Sequence, residues 1–458
     1  MVIEMPENAK KIISLLTDAG YSAYAVGGCI RDSIMGITPD DWDICTSARP
    51  QEVLSVLGKK NIIMNGEKHG TVTVFYDEPY EITTFRTEGD YADCRHPDKV
   101  TFVNDLREDL ARRDFTVNAM AYNDKDGLCD YFSGQNDIEK KIIRCVGDPT
   151  QRFSEDALRI LRALRFSSKL GFSIENNTSE AAIKNAGLLE NISAERIRDE
   201  LIRIIDGKYA EQILTDYTDI FETIIPEIRP LVGHLQYNPH HIYDIWMHTI
   251  KVVVKSPHGT VPRMAALLHD IAKPLCFTRD ERGTGHFKGH PELGADMACN
   301  IMRRLRFDNK TIDDVEKLIR HHDRRPPANE KNVRRMLYDL GRKRFLMLCD
   351  LKTADARGQN PALLKEKIEY IEKLREICFK ELSNGSCFEL KGLAINGKDL
   401  LSLGIPKGKQ LGLTLRYLLD SVIEGDLPNE RISLIDAALE YYRSEFLSAD
   451  KPAELNKG

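Results

Sequence analysis

The alternation of apolar and polar residues predicts a helix at the start of the chain, then strands, and mostly helices beyond them. Residues 6–20 repeat their apolar positions at helical spacing from Pro6 and stop at Gly20, which predicts an amphipathic helix. Residues 71–76 and 80–85 alternate apolar and polar positions about a short turn, as the strands of a hairpin do. Residues 153–168 return to helical spacing, and we expect one continuous helix there.

Length and composition indicate a multidomain cytoplasmic protein. A chain of 458 residues is too long for one hydrophobic core and predicts three or four domains. No apolar run reaches the length of a membrane span, and the polar N-terminus does not resemble a signal peptide. The ten cysteines are scattered without a C-x-x-C pair, so we expect reduced thiols. The net charge of −6 leaves nucleic-acid binding open, because binding needs only a local basic face.

Residues 24–44, YAVGGCIRDSIMGITPDDWDI, carry the first candidate site. A short strand, residues 24–26, leads into Gly27 and Gly28, whose backbone N–H groups can approach a triphosphate. Arg31 follows at a turn or helix start and can add charge-assisted hydrogen bonds to the same phosphates. The stretch therefore predicts a phosphate-binding turn.

Two aspartates close this stretch in a D-x-D pattern. Asp41 and Asp43 are expected on a second strand, where alternate side chains face the same side. Two carboxylates at one point suit Mg²⁺ and the phosphates that it carries. Glu81, on the second strand of the predicted hairpin, is a candidate third acidic ligand, as in two-metal phosphoryl-transfer sites.

The glycine pair, the R-D pair and the D-x-D resemble the head motif of the class II tRNA nucleotidyltransferase and poly(A) polymerase family, whose head is polymerase-beta-like. The run RRDFT-N-A within residues 108–122 is similar to the second head motif of that family. Arginines beside an aspartate can bind phosphate while the acid orients them. The resemblance implies that Arg113, Asp114 and Asn118 bind nucleotide.

The predicted helix at 153–168 carries a candidate base-selecting pair. Asp156 and Arg159 are three residues apart, so they would share a face and together offer acceptors and donors to a nucleobase edge. The E-D-A-L-R context resembles the nucleotide-selecting motif of the same family, which implies acceptance of both CTP and ATP. Arg162 and Arg165 are predicted to bind nucleotide from the same helix, and ERIRDEL at 195–201 is similar to the neck motif of the family.

A series of histidines and aspartates in the second half resembles the HD superfamily of metal-dependent phosphohydrolases. The local contexts are LLHDIAK, GHPELGA, IRHHD and TADARG. Imidazoles with hard carboxylates suit Mn²⁺, Ni²⁺, Fe or Mg²⁺ rather than structural zinc. The pattern leaves the choice between His321 and His322 open, and the predicted ligands are His248, His269, Asp270, His290, His321 and Asp355. His240 and His241 match nothing in the pattern and are interpreted as ordinary residues.

Residues 389–419 resemble the C-terminal tail of bacterial tRNA nucleotidyltransferases. The predicted loop from Gly404 to Gly412 carries Lys407 and Lys409 among glycines and precedes a helix. Such a loop can contact the phosphate backbone of tRNA.

These patterns and resemblances predict an α+β multidomain protein with a small mixed α/β nucleotidyltransferase head and helical remainder. We expect a head at residues 1–150, a nucleotide-selecting neck at 151–215, an HD-type body at 216–365 and a tRNA-binding tail at 366–458. The implied activity is Mg²⁺-dependent addition of CMP and AMP to the 3′ end of tRNA from CTP and ATP. The HD-type body is expected to be a phosphatase or 2′,3′-cyclic phosphodiesterase.

Three alternatives stay open at this point. The first is a poly(A) polymerase, against which the missing basic extensions and the tRNA-type tail argue. The second is a partial enzyme that adds only CC or only A, and the loop at residues 86–105 bears on it. The resemblance implies that family members that stop after CC have a shortened loop at this position. The loop of this chain looks full length, which predicts complete CCA addition. The third is an HD phosphohydrolase whose head only binds nucleotide.

Overall fold

A computed structural model describes residues 2–58, 62–66, 70–76, 78–88, 100–384 and 387–447. Its internal contacts divide the chain into two compact units, Met1–Arg229 with Ile301–Phe307, and Pro230–Asn300 with Asp308–Gly458. The division into head, neck, body and tail is finer than these two units and stays a prediction. Within the described ranges, no helix is both long and apolar enough to cross a membrane.

The first unit is built on a mixed seven-stranded sheet. Its strands are β1 (Ala23–Val26), β2 (Ile44–Thr46), β3 (Ile62–Gly66), β4 (Thr71–Phe75), β5 (Pro79–Thr84), β8 (Ala121–Asn123) and β9 (Gly127–Cys129), in the order β3-β4-β5-β2-β1-β8-β9. Strands β2 and β5 run parallel, with Ile44 opposite Ile82, and the other neighbours are antiparallel. The predicted hairpin is confirmed as β4 and β5, in which Thr73 lies opposite Glu81.

Helices alternate with these strands along the chain and continue after the last of them. They are α1 (Glu7–Asp18), α2 (Gly28–Ile34), α3 (Pro50–Leu57), α4 (Leu106–Ala111), α5 (Gly134–Lys140), α6 (Pro149–Glu155), α7 (Leu158–Leu170), α8 (Asn176–Lys184), α9 (Ala194–Ile205), α10 (Ala210–Asp216) and α11 (Thr218–Ile224). Helix α1 confirms the amphipathic prediction, because Ile12 and Leu16 on its apolar face are completely buried. Full burial of each such side chain stabilises the folded state by about 1.5–3 kcal/mol.

Two local predictions for the first unit are wrong. The continuous helix at 153–168 is broken at Asp156, whose backbone is extended (φ −138°, ψ 101°), into α6 and α7. Asp41 and Asp43 lie just before strand β2 rather than in it, although the carbonyl of Asp43 still accepts a 2.9 Å hydrogen bond from the amide of Val26. Both residues are therefore held by loop geometry at a strand end.

The loop at residues 86–105 begins and ends in short strands. Strands β6 (Arg86–Glu88) and β7 (Val100–Phe102) pair antiparallel, with Arg86 opposite Phe102. The central part of this loop, including Asp93 and Arg95, lies outside the described residues. Strand β10 (Ile142–Ile143) pairs in parallel with β11 (Ser173–Ile174), and this pair lies apart from the large sheet.

The remaining elements are almost all helical. They are α12 (Ile245–Lys255), α13 (Thr260–Leu268), a small hairpin of β12 (Thr278–Arg279) and β13 (Gly285–His286), α14 (His290–Arg304), α15 (Asn309–His321), α16 (Glu330–Gly358), α17 (Leu364–Ser383), α18 (Gly397–Ser402), α19 (Lys409–Glu424) and α20 (Arg431–Tyr442). Gly341 interrupts α16 with a positive φ of 72°. Near the C-terminus Leu400, Leu418, Ile423 and Leu434 form a separate small core.

Candidate active site and metal centre

The sheet brings two of the three predicted acidic residues to one cavity of the first unit, and the third stands close by. Because β2 and β5 are parallel with Ile44 opposite Ile82, the preceding residues, Asp43 and Glu81, lie at neighbouring positions. Both line a cavity of about 320 Å³. Asp41 stands two residues before Asp43, close enough for its charge to act on it. Strand pairing thus brings together Asp43 and Glu81, which are 38 positions apart in the sequence.

The electrostatics of this acidic cluster fit a cation site. The pKa of Asp43 is raised to about 6, first by partial burial in the cavity and then by the charges of Asp41 and Glu81, against the opposing effect of Arg113. Asp43 keeps a solvent-facing side, so the cluster is reachable. Carboxylates that repel one another at one point are the donor set that Mg²⁺ prefers.

The glycine turn is tightly packed against the second motif. Gly27 has a φ of 86°, a region that favours glycine, and a Cβ there would lie 3.1 Å from Nη1 of Arg113. The sequence predicts that its N–H can approach a triphosphate. In the structure this N–H instead donates to the carbonyl of Met120 at 3.1 Å. Gly28 is the first residue of α2. The glycine therefore allows Arg113 to approach the turn.

Arg31 is buried and joined to the second motif. Its guanidinium donates to Oδ1 of Asn118 at 2.6 Å and pairs with Asp32 at 2.7 Å. Asn118 in turn donates to Asp114 at 3.3 Å, and Asp114 pairs with Arg162 at 2.5 Å. Burial alone would raise the pKa of Asp114, but Arg162 and the hydrogen bonds lower it below its usual value.

The candidate base-selecting residues both line the cavity, but they do not pair with each other. Asp156 accepts a 3.0 Å hydrogen bond from Arg196 of α9, and Arg159 pairs with Glu155 at 2.8 Å. The sequence predicts that the two side chains share one helix face. The helix break at Asp156 prevents this, because it turns the aspartate away from the face that carries Arg159. Nothing in the local spacing indicates Arg196 as the partner.

Cationic side chains gather around one aromatic ring. The guanidiniums of Arg31, Arg162 and Arg165 lie 5.2, 5.5 and 4.5 Å from the ring centroid of Phe166. Burial and the neighbouring Arg162 lower the pKa of Arg165 to about 10, although it pairs with Glu200 at 2.9 Å. This concentration of positive charge suits an anionic ligand such as a triphosphate.

The HD-type residues come together in the second unit, around Asp270. Its Oδ2 lies 3.1 Å from Nε2 of His269 and 3.5 Å from Nε2 of His248. Its Oδ1 lies 3.5 Å from Nε2 of His290 and 3.7 Å from Nε2 of His322. The donors thus form two groups that share Asp270.

Asp355 lies beside the first of these two groups, since its Oδ1 lies 3.1 Å from Nε2 of His248. The carbonyl of Gly358 lies 3.2 Å from Nδ1 of the same histidine. A Cβ at Gly358 would come within 3.3 Å of that Nδ1, so the close approach favours glycine. The residues around His248 thus orient its Nε2 toward Asp270 and Asp355.

The hydrogen bonds of the histidines leave their Nε2 atoms for a cation. Nδ1 of His269, His290 and His322 lies 2.8, 2.7 and 2.6 Å from a backbone carbonyl, which requires Nδ1 to carry the proton in the neutral ring. Among the described residues, Nε2 of His248 and His269 and Oδ1 of Asp270 are buried without a hydrogen-bond partner, whereas Oδ2 of Asp270 lies 2.7 Å from the ammonium of Lys273. Buried lone pairs of this kind fit a divalent metal centre.

The predicted ligand His321 is not in this cluster. The structure places its neighbour His322 there, 5% exposed, while His321 ends α15 and is partly exposed. Adjacent helical residues point about 100° apart, so only one of the pair can face Asp270. The sequence pattern could not decide between them, because the two histidines are adjacent in the same IRHHD context.

Several residues that the sequence did not indicate also line this centre. His240 and His241, interpreted above as ordinary residues, border its cavity, and the ring of His241 lies 4.8 Å from that of His248. Lys273 pairs with Asp270 at 2.7 Å. The H-D-x-x-K spacing, which sets this lysine three residues after Asp270, was the available signal for it.

The predicted tail lysines are exposed at the start of a helix. Lys407 and Lys409 both face solvent, and Lys409 is the first residue of α19 rather than part of a loop. Gly408 has a φ of 128°, which an L-residue with a side chain rarely adopts. The two lysines thus flank a glycine-dependent turn that leads into a 16-residue helix.

Three family descriptions match separate parts of the chain. The Poly A polymerase head domain matches residues 23–144, the "probable RNA and SrmB-binding site of polymerase A" matches residues 171–231, and tRNA nucleotidyltransferase domain 2 matches residues 292–438. The first match includes the glycine turn and all three acidic residues.

Similar full-length proteins and structures are known. The CCA-adding enzyme of Lactobacillus delbrueckii subsp. bulgaricus is 33% identical over 95% of this chain and 98% of its own length. That of Lactobacillus johnsonii is 35% identical over 93% of this chain and 96% of its own. The crystal structure of the Bacillus stearothermophilus CCA-adding enzyme in complex with CTP is 29% identical, with a TM-score of 0.71 over 96% of this chain and 99% of that one.

Proposed function

This chain belongs to the CCA-adding enzyme family, and we propose that it adds CMP and AMP to the 3′ end of tRNA from CTP and ATP. One observation carries the proposal: Asp43 and Glu81 lie side by side in a cavity whose other wall is built from arginines. An acidic cluster for a cation beside guanidiniums for phosphate is the arrangement that nucleotidyl transfer requires.

Within this proposal the acidic residues hold the metal. Asp41, Asp43 and Glu81 offer carboxylate oxygens that fit a hard divalent cation, and Mg²⁺ is the proposed ion. Bound there, Mg²⁺ supplies charge neutralisation on the triphosphate and acidifies the attacking 3′-hydroxyl. The carboxylates would hold the ion in the cavity whose arginines would bind the phosphates, so the chain contributes mainly by positioning.

Arginines hold and select the nucleotide. Arg113 borders the glycine turn, where it can neutralise the triphosphate, and Arg162 and Arg165 add charge around Phe166. Asp156 and Arg159 line the same cavity and are proposed to offer an acceptor and donors to the base edge. Arg31, Asp114 and Asn118 form the buried support on which these groups rest.

The tail and the thiols complete the proposal. Lys407 and Lys409 are proposed to contact the tRNA backbone, since two exposed cations at a helix start suit phosphate.

The described cysteines are free thiols, a state that suits the reducing cytoplasm in which we place the protein. We retain the head, neck, body and tail at 1–150, 151–215, 216–365 and 366–458 as the proposed functional division.

The test offers the protein tRNAs that end before the first C, after C and after CC, each with labelled CTP or ATP. Two C additions followed by one A on these substrates support the proposal. Repeated A addition to any RNA would instead indicate a poly(A) polymerase. Addition of C alone, or of A alone, would indicate a partial enzyme.

A second function is favoured by the metal centre around Asp270. We propose that it hydrolyses phosphoesters, because its unpartnered lone pairs and two histidine groups fit one or two divalent ions such as Mn²⁺, Ni²⁺ or Mg²⁺. Bound ions there supply Lewis acidity toward a phosphate and acidify a water molecule. His248, His269, Asp270, His290, His322 and Asp355 are the proposed ligands.

The hydrolase is tested separately from nucleotide addition. Replacing His269 and Asp270 by alanine should abolish metal-dependent phosphate release while CMP addition continues, because the two sites belong to different units. Both activities are measured on one preparation. Phosphate release that persists in the double variant would contradict the assignment of this centre.

A further inference from the structure

Two threonines line the cavity of the first unit that contains Asp43 and Glu81. Thr71 of β4 and Thr83 of β5 lie opposite each other in the antiparallel register, and their hydroxyl oxygens are 3.1 Å apart. Thr83 follows Glu81 by two positions on β5, so both side chains lie on the same face of the sheet. The acidic pair therefore has two neutral hydroxyls beside it.

The two hydroxyls keep hydrogen-bonding capacity for a ligand. A threonine hydroxyl has one hydrogen and two lone pairs, so the bond between Thr71 and Thr83 leaves one hydrogen and three lone pairs. Both side chains are half-buried, and in the part of the chain that the structure describes neither hydroxyl has another hydrogen-bond partner. All other polar side chains among the described lining residues are carboxylates or guanidiniums. The threonines therefore suit an uncharged polar group rather than a phosphate or a cation.

The strand order places the threonines and the glycine turn on opposite sides of the acidic pair. Strands β4, β5, β2 and β1 are neighbours in that order. Gly27 directly follows β1, Asp43 directly precedes β2, and Thr71 is on β4. In an in-line phosphoryl transfer the attacking and leaving oxygens lie on opposite sides of the phosphorus. With the triphosphate at the glycine turn, the attacking RNA end lies on the side of the threonines.

We propose that Thr71 and Thr83 bind the 2′-hydroxyl of the terminal tRNA nucleotide, the nucleotide whose 3′-hydroxyl is extended. A 2′-hydroxyl both donates and accepts a hydrogen bond, which matches the free hydrogen and lone pairs of the pair. The two ribose hydroxyls are on adjacent carbons, so holding the 2′-oxygen restricts the 3′-oxygen to positions near the acidic pair. The pair thereby selects RNA ends over DNA ends. This inference rests on the proposed CCA addition and names the group by which it recognises the RNA end.

The experiment extends tRNAs that end in CC and differ only in the terminal sugar, which carries a 2′-hydroxyl, a 2′-hydrogen or a 2′-fluorine. All three keep the 3′-hydroxyl. Fluorine remains electronegative but has no hydrogen to donate, so it separates a lost hydrogen bond from a changed reactivity of the 3′-hydroxyl. With ATP and Mg²⁺, the wild-type protein should extend the 2′-hydroxyl end with a kcat/KM about 2- to 12-fold above either analogue, the range for one hydrogen bond.

The variants remove the hydroxyls and keep the shape of the side chains. The double variant Thr71→Val with Thr83→Val should extend all three ends with equal kcat/KM, because valine fills a strand position but offers no hydrogen bond. Thr83→Ser keeps a hydroxyl and should retain the preference. Thr73→Val is the matched control, since this half-buried threonine is also on β4 but does not line the cavity. The preference is a ratio measured on one preparation, so partial unfolding of a variant does not alter it.

The outcomes separate this inference from the activity on which it rests. Equal extension of the three ends by the wild-type protein would overturn the threonine site while CCA addition stands. A double variant that slows all three ends by the same factor and keeps the preference would also overturn it, and would leave the threonines only a role in strand pairing. A wild-type protein that extends none of the three ends would overturn CCA addition and this inference together.

Discussion

Nη1 of Arg31 donates a 2.6 Å hydrogen bond to Oδ1 of Asn118, a residue 87 positions later in the chain. Both side chains are buried. The contact joins helix α2, which follows the glycine turn, to the short 3-10 turn of the second motif. We infer that it positions the two halves of the nucleotide site relative to each other.

The first prediction tests this contact. Asn118→Ala removes the acceptor of Arg31 and leaves a buried guanidinium partly unsatisfied, at a cost of about 1–3 kcal/mol in unfolding free energy. Urea denaturation should show this loss, and CMP addition should fall with a raised KM for CTP. The control Asn177→Ala changes an exposed asparagine of α8 and should alter neither quantity. A fully stable, fully active Asn118→Ala protein would contradict the positioning role.

The second prediction concerns Asp43. Asp43→Asn should abolish nucleotide addition and leave tRNA binding largely intact, because the carboxylate acts on chemistry rather than on RNA. Since its pKa is about 6, we also expect wild-type addition to decline as the pH falls below that value. Single-turnover CMP addition and gel-shift binding measure the two properties. Near-normal turnover of the variant would refute the metal assignment.

The same pKa has a consequence for stability in the absence of metal. The folded state binds the proton of Asp43 more tightly than the unfolded state, whose pKa is near 3.8, so it holds more protons between about pH 4 and 6. Stability from this group is therefore present at low pH and lost as the pH rises through about 6. At pH 7.5 with EDTA, Asp43→Asn should raise the melting temperature. A lower melting temperature would contradict the proposed charge repulsion.

A third prediction follows from the unexpected pairing of Asp156 with Arg196. Arg196→Ala frees Asp156 to move, so it should weaken discrimination of CTP and ATP against UTP and GTP, and Asp156→Ala and Arg159→Ala should do the same. Loss of one base contact corresponds to roughly 1–3 kcal/mol, or about 5- to 150-fold in selectivity. All four nucleotides are compared by kcat/KM.

Arg203→Ala provides the control for this series, because Arg203 is an exposed arginine on the same helix α9. It should leave the ranking of the four nucleotides unchanged. If Arg196→Ala slows addition of all four nucleotides equally, the Asp156–Arg196 pair only supports the fold.

The fourth prediction uses the adjacent histidines as a matched pair. His322→Ala should lower the Mn²⁺ content or affinity of the protein, since His322 lies in the cluster around Asp270. His321→Ala, which removes the neighbouring ring, should leave metal binding intact. Metal analysis after dialysis and calorimetric titration measure the difference. Equal metal loss in both variants would mean that the end of α15 unfolds, and loss in His321→Ala alone would restore the original ligand choice.

The fifth prediction concerns the last nucleotide added. Shortening the chain around residues 91–95, in the loop that strands β6 and β7 close, should preserve both C additions and block the terminal A. The proposed reason is that the loop re-aims Asp156 and Arg159 from cytosine to the larger adenine. A tRNA ending in CC, incubated with ATP, gives the readout. Completed CCA in the shortened protein would show that the loop has no part in the switch.

The sequence by itself determined the chemistry of the first site. The glycine pair, the D-x-D and the RRDFT run are short motifs whose residue types already limit the ligands to phosphates and hard cations, and the 3.6- and 2-residue periods predicted α1 and the hairpin correctly. Such features depend on neighbours within a few residues. Local sequence therefore suffices to predict them.

Tertiary structure alone decided which distant groups meet. The parallel pairing of β2 with β5 places Glu81 beside Asp43. The helix break at Asp156 turns its carboxylate toward Arg196, with which it forms a hydrogen bond, rather than toward Arg159. Helix rotation selects His322 over His321, and the packing of α16 against α17 forms a wall of the cavity of about 550 Å³ beside the metal centre. These relationships depend on strand register, crossing helices and backbone breaks, which side-chain burial across the whole fold determines and which no local pattern records.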